Sequence, residues 1–507
     1  MTTLTSNAAV PAVRQDPSPQ LPAKEIAPPP ARRRHTLASR LAFLTICVVI
    51  VLTTLAYGTV HYWALAIFTL SAVGLVLLWA ADAFVLRSVP LPVNPLQWPL
   101  VGMILLGLFQ LLPLRSHDPA GLPLSPVRSL SLDPYSTRLV IVQVAGLLIY
   151  FAAASIFVDT PRRLKALVRT ITIFGFLLAI FGLTQSFTSD GSRVYWFRQL
   201  AQSTAFGPFI NRHHFAGYME LAVAIPFALL VSGAVESYKR PLYAFAAVVM
   251  AMSLVATNSR GGIISLGAEI FVLTVTASFG WRKKKEQSRT QRIRAAAFRL
   301  SIAGAVVVVL IGGALLLSGP EVFNRFLGTP IAEDPTTGRA HFWRVTVDVI
   351  KTYPVIGSGL GSFGAIYTRY DTRNGLYRLE QAHNDYLQTL SDAGIIGAIL
   401  ALAFILILFR RGLARRETHD SFRRAVTTGA LAGCFAALVH SFFDFTLHTT
   451  ANAILFLILA AIATQDTRIN TTYELSQRRR RRPSRRAETS ESPPGDGTAR
   501  DPATVEL

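Results

Sequence analysis

Long apolar runs alternate with polar segments along most of the chain, at roughly 39–56, 62–86, 97–113, 138–158, 164–187, 214–233, 241–257, 262–280, 299–317, 394–410, 424–443 and 449–465. Runs of about this length cross a ~30 Å hydrocarbon layer as helices, so the pattern predicts about twelve spans. The expected fold is an all-α polytopic membrane protein. An even number of spans puts both termini on one side.

One polar stretch breaks the alternation. Between the ninth and tenth runs lies a segment of residues 318–393, too long and too patterned for a mere connection. Within it, Thr337 to Tyr353 reads as a helix with an apolar stripe of Phe342, Trp343, Val345, Val349 and Ile350, capped by Thr336 or Thr337 and ended by Pro354. Trp343 and its aromatic neighbours suit a helix in the headgroup region. Gly357-Ser-Gly-Leu-Gly361 lacks the βαβ context of a nucleotide site and reads as a tight turn back toward the membrane.

Charge sets the orientation. The formal net charge is +21, but only 16% of residues are charged against 51% hydrophobic. The Lys and Arg residues fall between apolar runs, which argues against nucleic acid as a partner. Arg32 to Arg34, Arg162 to Lys165, Lys239-Arg240, Arg282 to Arg299, Arg410 to Arg424 and Arg478 to Arg486 all fall on one face when the runs are threaded alternately. By the positive-inside rule that face is cytoplasmic. The domain reading is therefore a disordered cytoplasmic N-tail (1–38), spans one to nine (39–317), a large periplasmic loop carrying the active-site segment (318–393), spans ten to twelve (394–465) and a disordered basic C-tail (466–507). The expected location is a bacterial inner membrane. Cys47 and Cys434 lie inside apolar runs and read as inert thiols.

The residues able to do chemistry collect on the opposite, outer face. His383, in Ala382-His-Asn-Asp-Tyr386, titrates near neutrality and can take a proton from a sugar hydroxyl, or serve as an interfacial histidine bonded to a loop carbonyl. Asn384 and Asp385 either orient it or begin the next helix. Arg260, in Thr257-Asn-Ser-Arg-Gly-Gly262, is an isolated cation against the charge bias. It reads as an interfacial anchor or a phosphate ligand, with Gly261-Gly262 allowing close backbone approach. Arg339 starts the loop helix, where free N–H groups favour an anion, and is otherwise a solvated arginine. Arg212, His213 and His214 form a second cluster, in which adjacent side chains diverge and no acidic residue stands at ligand spacing, against a metal site. Gln185, Glu220, His440 and Asp444 are polar groups at costly depth.

Thr257 to Gly262, Gly338-Arg339 with Phe342-Trp343, Pro354 to Phe363, Ala382 to Leu387 with Gly394 to Gly397, and His440 to Asn452 together resemble the O-antigen ligase and polymerase superfamily, over roughly Phe206 to Thr464. Asp392 stands where many members carry Glu. The resemblance implies a membrane-embedded GT-C glycosyltransferase, inverting and independent of metal or other cofactor, acting in surface polysaccharide biosynthesis. Its donor would be an undecaprenyl-pyrophosphate-linked glycan and its acceptor a saccharide or a lipid A-core. It further implies His383 as the base and Arg260 and Arg339 as pyrophosphate ligands, with Asn384, Asp385, Trp343, Arg212 and His214 in support. Two alternatives stay open: a non-enzymatic translocator of the lipid-linked glycan, and a protein O-oligosaccharyltransferase.

Overall fold

The computed structural model describes residues 35–92, 94–115, 128–200, 203–279, 339–372, 379–418 and 420–465. The two tails, the apolar run 299–317, the basic run Arg282 to Arg299 and the loop segment 318–338 with Thr336 and Thr337 lie outside these residues. Every other apolar run coincides with a helix. In chain order these are α1 (Leu37–Leu55), α2 (Tyr62–Leu86), α3 (Gln97–Gln110), α4 (Pro134–Phe157), α5 (Pro161–Thr188), α6 (Arg212–Val231), α7 (Arg240–Ala256) and α8 (Arg260–Phe279). Two non-spanning helices follow, α9 (Arg339–Thr352) and α10 (Phe363–Tyr370), and then α11 (Asp385–Arg415), α12 (Ser421–His440) and α13 (Thr450–Thr464).

Among the described residues, eight helical segments are long and apolar enough to cross a membrane, and Gln97–Gln110 and Thr450–Thr464 are shorter apolar helices. The outer helices leave large apolar side chains exposed, among them Leu52, Ile67, Leu70, Leu77, Leu177, Leu402 and Leu406. Such a surface belongs in hydrocarbon, where helices satisfy their own backbone groups. This is a helical polytopic membrane protein.

At the centre stand α6, α12 and α13; every residue of α13 is buried. Small residues let these helices approach closely. A Cβ on Gly429 of α12 would lie 2.7 Å from the Ala224 carbonyl oxygen of α6, and one on Gly433 would lie 2.9 Å from the Ala224 Cβ. This is the small-xxx-small seam that drives helix association where no water can be expelled. Asn384, Asp420, Thr160 and Asn211 each cap a helix by accepting backbone N–H groups of its first turn.

The all-α expectation misses one small element. Arg193–Val194 pairs antiparallel with Arg198–Gln199 in the connection between α5 and α6. Tyr195 and Trp196 turn the chain with φ of 52° and 63°, the left-handed conformations a tight hairpin demands.

α9 covers the predicted loop helix from Arg339 on, with Phe342, Val345 and Val349 of its stripe buried and Trp343 and Ile350 half-buried. Phe342 and Val345 pack on Phe363, Tyr367, Leu379 and Ala382. A second apolar surface was within reach, since α10 supplies its own buried face, and covering one with the other removes both from water.

The glycine run is a tight turn pressed against α11. Gln110 of α3 donates to the carbonyls of Ile356 and Asp392 at 2.6 and 2.9 Å and accepts the Leu360 N–H at 2.9 Å. Asp392 accepts the Gly361 N–H at 3.1 Å. At Gly394, with φ of 62° and ψ of −162°, α11 is interrupted, and the tenth apolar run begins there. Asp385 to Ala393 form an extra helical piece below the break, so the polar segment ends earlier than the sequence suggests.

Candidate functional site

The connections 203–211, 257–259, 379–384 and 441–449 meet α9 at one end of the bundle, around the carboxylate of Asp444. This side chain is 1% exposed. Its Oδ1 accepts the Phe445 N–H at 2.9 Å and faces His383 Nδ1 at 3.2 Å, while Oδ2 accepts Arg339 Nη2 at 3.1 Å. His213 Nδ1 lies 3.8 Å from Oδ2. Burial opposes ionisation here, but the neighbouring charge of His213, the hydrogen bond and charge of His383 and the charge of Arg339 hold the carboxyl well below the usual carboxylate range. Its contribution to stability is therefore present above the ordinary carboxyl pKa and is lost only as pH falls through the depressed value.

His383 is held on three sides. Its backbone adopts φ of 52°, a left-handed conformation that costs a non-glycine residue roughly 1–2 kcal/mol and is retained where the surroundings over-determine it. The ring stacks on Phe342 with centroids 6.2 Å apart and meets Phe445 edge-on at 4.9 Å. With Nδ1 turned to a carboxylate, the neutral ring carries its proton there, and Nε2 is left with a lone pair.

Of the two roles open to Asn384 and Asp385, the geometry matches the helix start. Asn384 accepts the N–H groups of Tyr386 and Leu387 at 3.0 and 3.1 Å and donates to the Phe442 carbonyl at 3.1 Å. Asp385 accepts the Ser441 hydroxyl at 2.7 Å and faces His448 Nδ1 at 2.6 Å. The carboxylate beside His383 is Asp444. Burial disfavours the His448 cation, but its hydrogen bond to Asp385 and the charges of Asp385 and Asp392 outweigh this and raise its pKa. A raised histidine stabilises fully below about pH 6.5 and loses that contribution as pH climbs through its folded-state value. Thermal stability should fall modestly above neutrality in the wild type and stay flatter in His448→Asn. The change is small because the imidazole is 37% exposed and solvent screens the pair; identical pH profiles would remove His448 from the balance.

Arg339 begins α9 and reaches Asp444, so it and His383 share one counter-charge. Arg260 is exposed on the first turn of α8, after the left-handed Asn258 (φ 56°) and the buried Ser259. The two glycines read as a cradle for phosphate meet protein instead. A Cβ on Gly261 would come within 2.7 Å of the His440 ring and one on Gly262 within 2.8 Å of Ala216, and the Gly262 N–H donates to Ser259 Oγ at 3.2 Å. Glycine here lets α8 lie against α12 and α6.

Trp343 is half-buried, and its indole N–H has no partner among the described residues. Arg212 opens α6, with its N–H on the Thr204 carbonyl at 2.9 Å. His214 is buried edge-on to Phe445, at 4.8 Å, and its carbonyl accepts Asn452 Nδ2 at 3.0 Å. It supports the wall behind His383 rather than facing it.

Sequence reasoning noted Asp444, Glu220 and His440 as costly and His213 as one of a pair, without joining them. In the structure Ser259 Oγ lies 2.8 Å from His213 Nδ1 and 3.4 Å from His440 Nε2. His440 Nδ1 lies 3.0 Å from Glu220 Oε2, which also accepts the Ser265 hydroxyl. Glu269, fully buried on α8, has neither carboxyl oxygen partnered among the described residues; its depth in an apolar run was the only sequence signal for it.

No curated protein matches the chain. Residues 245–402 match a family model described as O-antigen ligase. That range spans Arg260, Arg339 and His383 and stops short of Asp444, whose position in the same cluster comes from the fold. The match over this segment, about a third of the chain, supports the resemblance to the O-antigen ligase and polymerase superfamily.

Proposed function

We propose that the chain is a membrane glycosyltransferase of the O-antigen ligase type, transferring or polymerising an undecaprenyl-pyrophosphate-linked saccharide on the periplasmic side of a bacterial inner membrane. The observation that carries this reading is the buried Asp444 carboxylate shared by His383 Nδ1 and Arg339 Nη2. One anion fixes a base and a cation side by side.

His383 Nε2 takes the proton of the acceptor hydroxyl as its oxygen attacks the anomeric carbon. The bond from that carbon to the pyrophosphate oxygen breaks on the opposite face, with inversion. Asp444 stabilises the imidazolium that forms, which then releases its proton to solvent or to the departing group. Lipid pyrophosphate leaves readily once its growing charge is matched, and the guanidiniums of Arg339 and Arg260 supply that match. We read the reaction as metal-independent because two planar cations can do the work of a divalent ion at this leaving group. Twelve spans and a GT-C-like arrangement belong to the same proposal, as do cytoplasmic termini, which the clustering of basic segments supports.

Purified chain in lipid vesicles, given undecaprenyl-pyrophosphate-linked oligosaccharide from its host, should release lipid pyrophosphate and lengthen or transfer the glycan. Arg339→Ala and Arg260→Ala should each lower turnover by about 10–100-fold and weaken donor binding together, as expected for loss of a charge-assisted phosphate contact. Unchanged donor affinity in Arg260→Ala would make that residue an interfacial anchor. No release by the wild type would overturn the transferase reading.

A further inference from the structure

We infer that His213 is a second imidazole of the site, presenting Nε2 as a hydrogen-bond acceptor to a saccharide hydroxyl, and that Glu220 is a positioning residue acting on it through His440 and Ser259. The inference rests on the transferase reading for its substrate, and on valence for its geometry.

Every donor and acceptor in this chain fits in one direction. His213 Nδ1 lies 2.8 Å from Ser259 Oγ and 3.8 Å from the ionised Asp444 carboxylate. A lone pair facing that anion would be repelled, so Nδ1 carries the proton and donates to Ser259. Ser259 Oγ also accepts the Gly262 N–H at 3.2 Å. Both of its lone pairs are then used, and its own hydrogen goes to His440 Nε2 at 3.4 Å. With Nε2 accepting, His440 holds its proton on Nδ1 and donates to Glu220 Oε2 at 3.0 Å. The Ser265 hydroxyl donates to the same oxygen. The opposite direction would turn a bare nitrogen toward the Asp444 carboxylate.

The consequence is a fixed tautomer. His213 Nε2 is left with its lone pair, and the ring, 21% exposed, opens to the surface beside Asp444. The charged or titratable groups around it are Asp444, Arg339, Arg212 and His440. A lone-pair nitrogen binds O–H donors and is repelled by phosphate oxygens. Arginines therefore suit the pyrophosphate, and His213 suits the polyhydroxylated part of the substrate. The buried Glu220, His440 and Ser259 keep their places at membrane depth because each is satisfied by the next.

Two measurements test this. In lipid vesicles containing 15N-histidine-labelled protein, the resonance lost in His213→Asn should report a neutral ring with Nε2 unprotonated. Glu220→Gln and Ser259→Ala should each move it toward a mixture of tautomers. In transfer assays with the host's undecaprenyl-pyrophosphate-linked oligosaccharide, His213→Ala should raise the KM for saccharide about tenfold with a smaller change in kcat, the size expected for one lost hydrogen bond. Glu220→Gln should raise KM a fewfold in the wild-type background and add nothing in the His213→Ala background. A protonated Nε2 in the resting protein, an unchanged KM in His213→Ala, or an equal cost of Glu220→Gln in both backgrounds would overturn the inference. A wild type that transfers nothing would instead sink the transferase reading, and the tautomer would still decide the relay. Should Glu220→Gln fail to accumulate, Ser259→Ala reports the same link from the other end.

Discussion

His383→Ala is expected to lower glycan transfer by about 10²–10⁴-fold, the usual range for loss of a positioned general base, while the protein still accumulates in the membrane. Alanine has a Cβ like histidine, so the left-handed φ of 52° costs about the same in both. The fold loses the ring's packing against Phe342 and Phe445 and its contact with Asp444, which keeps Arg339 as a counter-charge. Asp444→Asn should approach the same loss by a different route. The amide oxygen stays on the Phe445 N–H and His383 Nδ1, so the NH₂ is turned to Arg339, donor against donor, and displaces that guanidinium. The substitution also takes the counter-charge from Arg339 and from the imidazolium formed in the reaction. Arg339→Ala, which leaves the His383–Asp444 contact in place, should therefore affect donor binding more than His383→Ala does. Polymer or core-linked glycan at wild-type yield from His383→Ala would refute the transferase reading and favour translocation of the lipid-linked glycan without chemistry.

The second large effect is structural and lies in the turn that sets His383 at the end of the bundle. Gly394→Ala and Gly357→Ala should each destabilise by about 2–5 kcal/mol, from an unfavourable φ plus overpacking. A Cβ on Gly394 would sit 2.4 Å from the carbonyl carbon and oxygen of Val355. One on Gly357 would sit 2.3 Å from the carbonyl carbon of Asp392, and both glycines have positive φ. The clashing atoms are backbone on both sides, so no rotamer change relieves them. These variants should aggregate on solubilisation or melt well below wild type. Gly74→Ala in α2 is the control: nothing lies within 4 Å of its Cβ, and a helical glycine replaced by alanine gains roughly 1 kcal/mol. Equal melting temperatures for Gly394→Ala and Gly74→Ala would show that the turn can open without cost.

Polar groups at membrane depth could be recognised from sequence as costly, but their partners could not. Asp444 pairs with His383, 61 residues away, and with Arg339, 105 residues away. Glu220 meets His440 across 220 residues. Asn384 and Asp385, by contrast, do what their place before an apolar run suggests, because a helix cap involves only neighbours in the chain. The Gly261-Gly262 reading went astray for the same reason: glycines signal a close approach, and only packing says whether phosphate or a neighbouring helix makes it.

The sequence by itself determined the helical membrane architecture and the amphipathic helix that starts at Arg339, and it singled out His383, Arg260 and Arg339 as candidates. Apolar length and period are local properties, and hydrocarbon leaves the backbone one solution for each long run. The tertiary structure alone decided that His383 and Arg339 share Asp444, that His213 is tied to Glu220 through Ser259 and His440, and that α11 breaks at Gly394 to meet the glycine turn. These pairings depend on helix register and crossing, set by small residues such as Gly429 and Gly433 where side chains of one helix fit between those of another. No periodicity within either helix records that fit.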